Sequence, residues 1–289
     1  MQKLTLVDEW TVAFELYGHG ERSTLLVSTD PHAARVCLTS DRATRASDTV
    51  TPLLLLLRKY VRDGRVDDLD QPSLERVLEL RVSKRDDGGD LRDVSLIIEV
   101  MGRRSNLVLV SEDGTILDAL RRASAEKNPT RPILPHRRYE PPPSQDRLDP
   151  FARDTWDAVR ALAGRQPETP VVDLLGRELA GFSGLLAREA AFRATGRLDT
   201  AAGDADWALV RARVGELLAP VRAHTGWAPS IALEGGRVVA FAPYRLSHLE
   251  DGYAVQDIAT ISEAVERGYA DRLAASSGPP AGAAGENLL

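Results

Sequence analysis

The sequence predicts an α+β protein, with a curled antiparallel sheet domain first and mainly helical segments after it. Short alternating apolar segments recur over residues 1–124, which are predicted to form a mostly antiparallel β domain with one inserted helix. Residues 125–150 are rich in proline. From residue 151 onward, apolar residues recur at helical spacing. The 289 residues of the chain suffice for more than one hydrophobic core.

The first strands are predicted from period-two alternation of apolar residues. Residues 4–18 alternate well enough for a strand pair, with a polar bend at Asp8 and Glu9. Two more strands are predicted at 23–29 and 34–40, separated by an Asp-Pro turn signal.

The inserted helix is predicted between Pro52 and Gly64, because Thr-Pro favours a helix start and glycine favours a helix end. An acidic turn at 67–76 then leads into a strand at 76–83. A hairpin follows at 94–120, where two apolar runs flank a polar turn. That turn, Met-Gly-Arg-Arg-Ser-Asn, differs from the Asn-Gly or Asp-Gly turns that most tight hairpins use.

The proline-rich segment 125–150 is predicted to be extended and irregular, because it has no apolar period. It is either a spacer between domains or a strap packed along a surface. The second interpretation would cover Ile133, Leu134 and Tyr139, which a free spacer would expose.

Residues 151–200 are predicted to contain a compact helical hairpin. Its helices, at 171–179 and 183–196, are joined by a turn that contains Gly181. The pattern is similar to a helix-hairpin-helix module, whose turn offers backbone N–H groups to a phosphate. A plain packing element with a glycine at its turn is the alternative.

Residues 201–275 are predicted to form a small α/β subdomain, and 276–289 a flexible tail. A helix is predicted at 207–221 and a strand hairpin through Gly235 and Gly236. A final helix is predicted to carry four apolar residues, Ile258, Ile261, Val265 and Tyr269.

Composition points to a protein of the reducing cytoplasm without a membrane segment. Cys37 is the single cysteine, and the longest aliphatic run, 53–57, is too short to cross a bilayer. The five histidines are scattered singly, so no metal site, cofactor or catalytic centre is predicted. The acidic loop 86–90 lacks the ligand pattern of an EF-hand and is interpreted as a solvated hairpin loop.

Basic residues cluster in places, although the net charge is −6. The run 58–65 holds four basic residues, and the run 121–138 holds six. Each is either a solvated face or part of a surface for a polyanion. Together with Arg103 and Arg104 in the hairpin turn, they favour a module that binds a phosphate-rich partner over an enzyme.

The hairpin sequence "LIIEVMGRRSNLVLV" resembles the signature of the NFACT family, whose members include fibronectin-binding protein A and ribosome quality control factors. Further segments resemble the family in its order: "LLVSTDPHAARVCLT", "LLLLLRKYVRDGRV", "ILPHRRYEPPPSQDRLDP", "GFSGLLAREAAFRA", "FAPYRL" and "ISEAVERGYAD". The resemblance is to the amino-terminal part of family members, which continue into a coiled coil and a carboxy-terminal domain.

The resemblance implies a fold like that of formamidopyrimidine-DNA glycosylases and a cytoplasmic role in ribosome-associated quality control. The implied partners are the large ribosomal subunit, stalled peptidyl-tRNA and charged tRNA, alanyl-tRNA in bacteria. The implied activity is support for template-free carboxy-terminal tailing of stalled chains. The peptide-bond chemistry would belong to the ribosome, so no catalytic residue is expected.

The family's tRNA-recruiting Asp-Arg pair falls on Glu75 and Arg76. The other positions implied to bind tRNA are those of the helix and the signature turn: Arg58, Lys59, Gly102, Arg103, Arg104, Ser105 and Asn106. The basic run and the hairpin add candidate nucleic-acid contacts at Arg121, Arg122, Arg137, Arg138 and Gly181. The signature turn either faces nucleic acid or packs internally to fix the sheet.

Two alternatives to this function remain. One is a surface adhesin that binds fibronectin or fibrinogen, as the older family name states. The other is a generic nucleic-acid-binding module.

Overall fold

The computed structural model describes residues 1–39, 49–86, 88–126 and 128–276, with side chains described as far as Ala270. The chain forms two compact units, Met1–Pro143 and Ser144–Leu289. Helices and antiparallel sheets occur in both, so the predicted α+β class is confirmed. The predicted tail lies beyond Ser276, outside the described residues.

The first unit begins with a four-stranded antiparallel sheet. Its strands are β1 (Lys3–Leu6), β2 (Thr11–Gly18), β3 (Glu21–Ser28) and β4 (Arg35–Thr39), which lie in chain order. The predicted bend at Asp8 and Glu9 separates β1 from β2, so this part of the sequence prediction is confirmed.

The inserted helix α1 (Pro52–Tyr60) begins as predicted, because the Thr51 hydroxyl accepts a hydrogen bond from the Leu54 N–H at 3.2 Å. It ends four residues before Gly64, which corrects the predicted end. Gly64 has a different role there. A Cβ at this position would lie 2.7 Å from the Val82 side chain, so glycine permits the close approach of loop and strand.

A five-stranded antiparallel sheet follows α1. Its strands lie in chain order: β5 (Arg65–Asp70), β6 (Val77–Arg85), β7 (Leu91–Glu99), β8 (Asn106–Ser111) and β9 (Ile116–Ala119). The unit therefore has two sheets where the sequence predicted one curled sheet. The acidic stretch predicted as a turn is partly strand β5. All six residues of β5 are exposed, and so its sequence carries no buried apolar alternation.

The two sheets and α1 share one hydrophobic core. Its fully buried members include Phe14 from the first sheet, Leu57 from the helix and Leu96 from the second sheet. The opposite face of the five-stranded sheet has a smaller core of its own, which includes Val108, Ile116 and Ile133. The strands of this sheet other than β5 therefore contribute residues to a core on one face or both.

The proline-rich segment covers that second face. Ile133 is 3% exposed, and backbone bridges join Ala123 to Ile133 and Thr115 to Arg138. The strap interpretation is therefore confirmed for this part of the segment, and the spacer interpretation is wrong there.

The second unit contains the helices α2 (Thr155–Arg165), α3 (Val171–Glu178), α4 (Gly184–Thr195) and α5 (Trp207–Ala223). The predicted helical hairpin is formed by α3 and α4, and the Ser183 hydroxyl caps α4 by accepting from the Leu186 N–H at 3.2 Å. A three-stranded antiparallel sheet has the order β11-β10-β12, with β10 (Ser230–Glu234), β11 (Arg237–Ala242) and β12 (Ala254–Asp257).

The last helix, α6 (Ile261–Ser276), starts later than predicted. Ile258 precedes it and its N–H donates to the Pro229 carbonyl at 2.9 Å, which continues the strand pairing beyond β12. None of the helices in the described part of the chain is both long and apolar enough to cross a membrane.

Candidate nucleic-acid interface

The five-stranded sheet brings several predicted site residues together at one of its ends. The β6 strand starts directly after Arg76, β7 ends at Glu99, and β8 starts at Asn106. Register places Val77 and Asn106 opposite Glu99. We call residues 71–76, 100–106 and 120–122 the turn end of the sheet.

Glu75 and Arg76 lie on a tight loop at the turn end. The Glu75 N–H donates to the Pro72 carbonyl at 2.9 Å, and Leu74 has a left-handed backbone with φ of +61°. Such a conformation is strained for a leucine and is often found at functional loops. The Arg76 carbonyl accepts from the Val100 N–H at 2.9 Å, which ties this loop to the signature turn.

The signature turn exposes two arginines. Gly102–Arg104 form one 3-10 turn, and Gly102 has a φ of +55°, which a glycine adopts without strain. Arg103 and Arg104 are exposed. Within the residues that the structure describes, neither they nor Arg76 form an ion pair. Their charge is therefore available to a partner.

Ser105 and Asn106 have an internal role. They are 1% and 5% exposed. The Ser105 hydroxyl accepts from the Met101 N–H at 2.7 Å, and the Asn106 amide exchanges hydrogen bonds of 2.9 and 3.0 Å with the Arg121 backbone. These two side chains pack internally and fix the sheet, as one interpretation of the turn predicts, while Arg103 and Arg104 are exposed.

Arg121 and Arg122 both make contacts within the fold. The Arg121 guanidinium donates to the Arg103 carbonyl at 2.6 Å and lies over the Trp10 ring at 5.1 Å. Arg122 makes two hydrogen bonds, of 2.8 and 2.9 Å, to the buried carboxylate of Asp118. These bonds and the charge of Asp118 raise the pKa of Arg122 above its ordinary value. Both side chains support the turn end. The basic run in the sequence did not predict this structural role.

The remaining basic candidates lie at the opposite end of the sheet. The Lys84 ammonium donates to the Lys59 carbonyl at 2.8 Å and so places Arg58 and Lys59 beside the far end of β6. Arg137 and Arg138 lie beside the β8–β9 hairpin, where the backbone of Arg138 forms an isolated β-bridge with that of Thr115. The length of β8 alone separates the two ends by about 17 Å.

The opposite end also differs in charge. A cavity of about 700 Å³ there is lined by Lys59 and Arg92 but also by Asp86, Glu112 and other acidic residues. Arg92 donates to the Asp86 carboxylate at 2.9 Å, and this bond lowers the pKa of Asp86. The basic residues that the sequence predicted to form one site therefore lie at two ends of the sheet. The opposite end carries both positive and negative charges.

Gly181 belongs to the second unit. It lies in the turn between α3 and α4, is exposed and has a φ of +75°. The Phe182 carbonyl in this turn and the Gly176 carbonyl of α3 accept from the Arg147 guanidinium at 3.5 and 3.0 Å.

A buried charged cluster that sequence reasoning missed supports the turn end. Glu99 is 2% exposed and accepts from the Arg131 guanidinium and from the Tyr139 hydroxyl, the latter at 2.9 Å. Burial and the Glu99 carboxylate raise the pKa of Tyr139. An acid directly after the apolar run Leu96–Ile98 was the available signal, because such a residue needs a buried partner.

Comparison with protein families gives one match to nearly the whole chain. The model of the NFACT N-terminal and middle domains matches residues 1–277. The chain is also similar to a protein named Rqc2 homolog RqcH from Bacillus subtilis, with 29% identity over 262 residues. That alignment covers 89% of this chain and 43% of the relative.

A relative of the same name from Streptococcus pneumoniae serotype 2 is 30% identical over 152 residues, which are 52% of this chain and 27% of that protein. The chain thus spans less than half the length of either relative. It therefore compares with a part of those proteins.

Two solved structures share the fold. One is the N-terminal part of the fibronectin/fibrinogen-binding protein from Streptococcus suis, with a TM-score of 0.73 and 22% identity. The other is the fibrinogen binding protein from Staphylococcus aureus, with a TM-score of 0.72 and 20% identity. Each comparison covers 93% of this chain and 91% of the other.

Proposed function

The chain belongs to the family of NFACT N-terminal and middle domains, and from this premise we propose that it binds tRNA through the turn end of its five-stranded sheet. In this proposal it is the amino-terminal part of a ribosome quality control factor. Its partners are the large ribosomal subunit with a stalled peptidyl-tRNA, and incoming alanyl-tRNA.

One observation carries the proposal: Arg76, Arg103 and Arg104 lie at the same sheet end, exposed, without ion pairs among the described residues. Arginine donates in a planar fork that matches phosphate oxygens. The exposed Gly102 allows a nucleic-acid backbone to approach the turn closely. A phosphate backbone is thus a partner that suits both the charge and the shape of this end.

The finer elements of the proposal follow the family. Glu75 orients Arg76, and the α3–α4 hairpin acts as a helix-hairpin-helix that offers the backbone around Gly181 to a second phosphate. The first unit corresponds to the glycosylase-like domain. The protein acts as a cytoplasmic binding factor that supports alanine tailing, while the ribosome makes the peptide bonds.

Co-sedimentation tests the proposal directly. The protein is centrifuged with purified large ribosomal subunits in the presence and absence of tRNA, and its direct binding to tRNA is measured alongside. We expect it to pellet with the subunits and to bind tRNA more tightly than a DNA duplex of equal charge.

Two outcomes would contradict the proposal. Equal binding of tRNA and DNA duplex, with no binding to subunits, would indicate a generic nucleic-acid module. Saturable binding to immobilised fibronectin, with no binding to tRNA, would favour the adhesin that the names of the structural neighbours describe. At 20% and 22% identity, those neighbours show the fold alone.

A further inference from the structure

Trp10 lies next to the turn end, and hydrogen bonds hold both its backbone N–H and its carbonyl. Its N–H donates to the Asp8 carboxylate at 2.7 Å. Its carbonyl accepts from both the N–H and the hydroxyl of Thr29, at 2.8 and 3.1 Å. The backbone that carries the indole ring is therefore held in place before any partner arrives.

The indole of Trp10 is half-exposed, and its N–H donates to no acceptor in the described part of the chain. Two other tryptophans behave differently. The indole N–H of Trp156 donates to the Pro150 carbonyl at 3.3 Å, and that of Trp207 to the Ala202 carbonyl at 2.9 Å. Trp10 thus has a donor and part of an apolar ring in reach of a ligand.

Arg121 makes Trp10 part of the turn end. Its guanidinium lies over the ring, with 5.1 Å between the guanidinium carbon and the ring centroid. The same guanidinium donates to the Arg103 carbonyl at 2.6 Å and lies 3.5 Å from the Ser105 carbonyl. The ring and the exposed arginines of the turn are therefore linked through one side chain.

We propose that the Trp10–Arg121 pair is a stacking platform for an unpaired nucleobase of the bound RNA. Aromatic rings and guanidinium planes are the surfaces on which proteins stack splayed bases of single-stranded loops. The free indole N–H would donate to an acceptor on the base edge. This inference rests on the proposed function, since Arg76, Arg103 and Arg104 would hold the adjoining phosphates.

The charge around the ring favours a base over a phosphate on the platform itself. Asp8 and Glu9 precede Trp10 directly and are exposed. Their carboxylates repel a phosphate but accept hydrogen bonds from the amino group of a base. Phosphates are consequently directed to the arginines of the turn, and the neutral base to the ring.

The test uses a stem-loop RNA that carries 2-aminopurine in its loop, whose fluorescence falls when it stacks on a tryptophan. We expect binding to the full chain to quench the loop probe and to leave a probe in the stem unchanged. Trp10→Leu should abolish this quenching and weaken binding roughly 5- to 100-fold, as expected for one lost base stack. Trp10→Phe should retain most of the affinity.

Two controls separate stacking from charge and from folding. The slope of log affinity against log salt should be the same for Trp10→Leu and wild type, because the substitution removes no cation. Trp227→Leu, at a second exposed tryptophan, should change neither quenching nor affinity. If Trp10→Leu fails to fold, photocrosslinking of 5-bromouridine in the loop to wild-type protein decides: a crosslink at Trp10 supports the platform, and crosslinks only elsewhere overturn it.

The outcomes distinguish the two proposals. If Trp10→Leu binds and quenches like wild type, the platform is wrong while the tRNA proposal stands. If the wild-type chain binds no RNA at all, the proposed function itself fails.

Discussion

The two ends of the five-stranded sheet both carry exposed basic residues but differ in the acids that lie beside them. At the turn end, Arg76, Arg103 and Arg104 are exposed and have no ion pair among the described residues. At the opposite end, Arg65 binds Asp67 at 2.6 Å and Arg92 binds Asp86 at 2.9 Å.

The comparison shows that a count of charges along the sequence does not locate a basic surface. The run 58–65 contains four basic residues, yet part of its charge is neutralised locally. The turn has only two adjacent arginines, but the structure leaves both free and adds Arg76 from another loop. Whether a basic residue keeps its charge free depends on which acids the fold places beside it.

The largest expected effect is a loss of stability when the buried charge beside the turn end is removed. Glu99→Gln would leave the partly buried Arg131 without its counter-ion and weaken the attachment of the strap beside the turn end. We expect the free energy of unfolding to fall by about 3–5 kcal/mol. Thermal melting would show a decrease in Tm of roughly 10 °C.

A matched control lies at the opposite end. Arg92→Ala removes exposed ion pairs to Asp86 and Asp90 and should change Tm by little. Equal losses in the two variants would contradict the view that the buried charge of Glu99 stabilises the protein more than the exposed ion pairs of the opposite end do.

A second substitution tests whether Arg121 holds the turn. Arg121→Ala removes its hydrogen bond to the Arg103 carbonyl and its contact with Trp10. We expect a loss of stability of about 1–2 kcal/mol, measured by chemical denaturation. Arg138→Ala, at an exposed arginine of the opposite end, should leave the denaturation midpoint unchanged.

The third prediction concerns Arg76. If its guanidinium contacts a tRNA phosphate, Arg76→Ala should weaken tRNA binding by about 1–3 kcal/mol, as expected for one charge-assisted hydrogen bond. Tm should remain close to wild type, because the side chain is exposed and unpaired within the described residues. A fall in Tm of several degrees with unchanged tRNA affinity would instead make Arg76 structural.

The smallest expected effect is that of Glu75→Asp. The substitution restores the family's Asp-Arg pair and shortens the acid by one methylene. Since Glu75 is half-buried and its backbone holds the loop, we expect no loss of stability and equal or tighter tRNA binding. Filter binding with labelled tRNA would measure it, and weaker binding would show that the loop is adapted to glutamate.

Much of the fold was predictable because local signals and packing agreed. The strands β2 and β3, the capped start of α1 and the α3–α4 hairpin all follow from alternation, capping and turn residues. Strand β5 was missed because it has no buried face, so its pairing with β6 leaves no period in its sequence.

The site was less predictable, because its residues depend on partners far along the chain. Neither the contact of Arg131 with Glu99 nor that of Arg121 with Trp10 has a signature in local sequence. The family resemblance supplied the turn and Arg76. The structure then showed which of the predicted residues lie at the turn end and which of them already have partners within the fold.

The central claim is that the turn end, and not the opposite end, provides phosphate contacts. The salt dependence of tRNA binding tests it with two matched variants, Arg103→Ala/Arg104→Ala and Arg137→Ala/Arg138→Ala, each of which removes two adjacent exposed arginines. We predict that the slope of log affinity against log salt falls by about 1.4–1.8 for the first variant and not for the second. A flattened slope for the second variant, with the wild-type slope for the first, would contradict the claim.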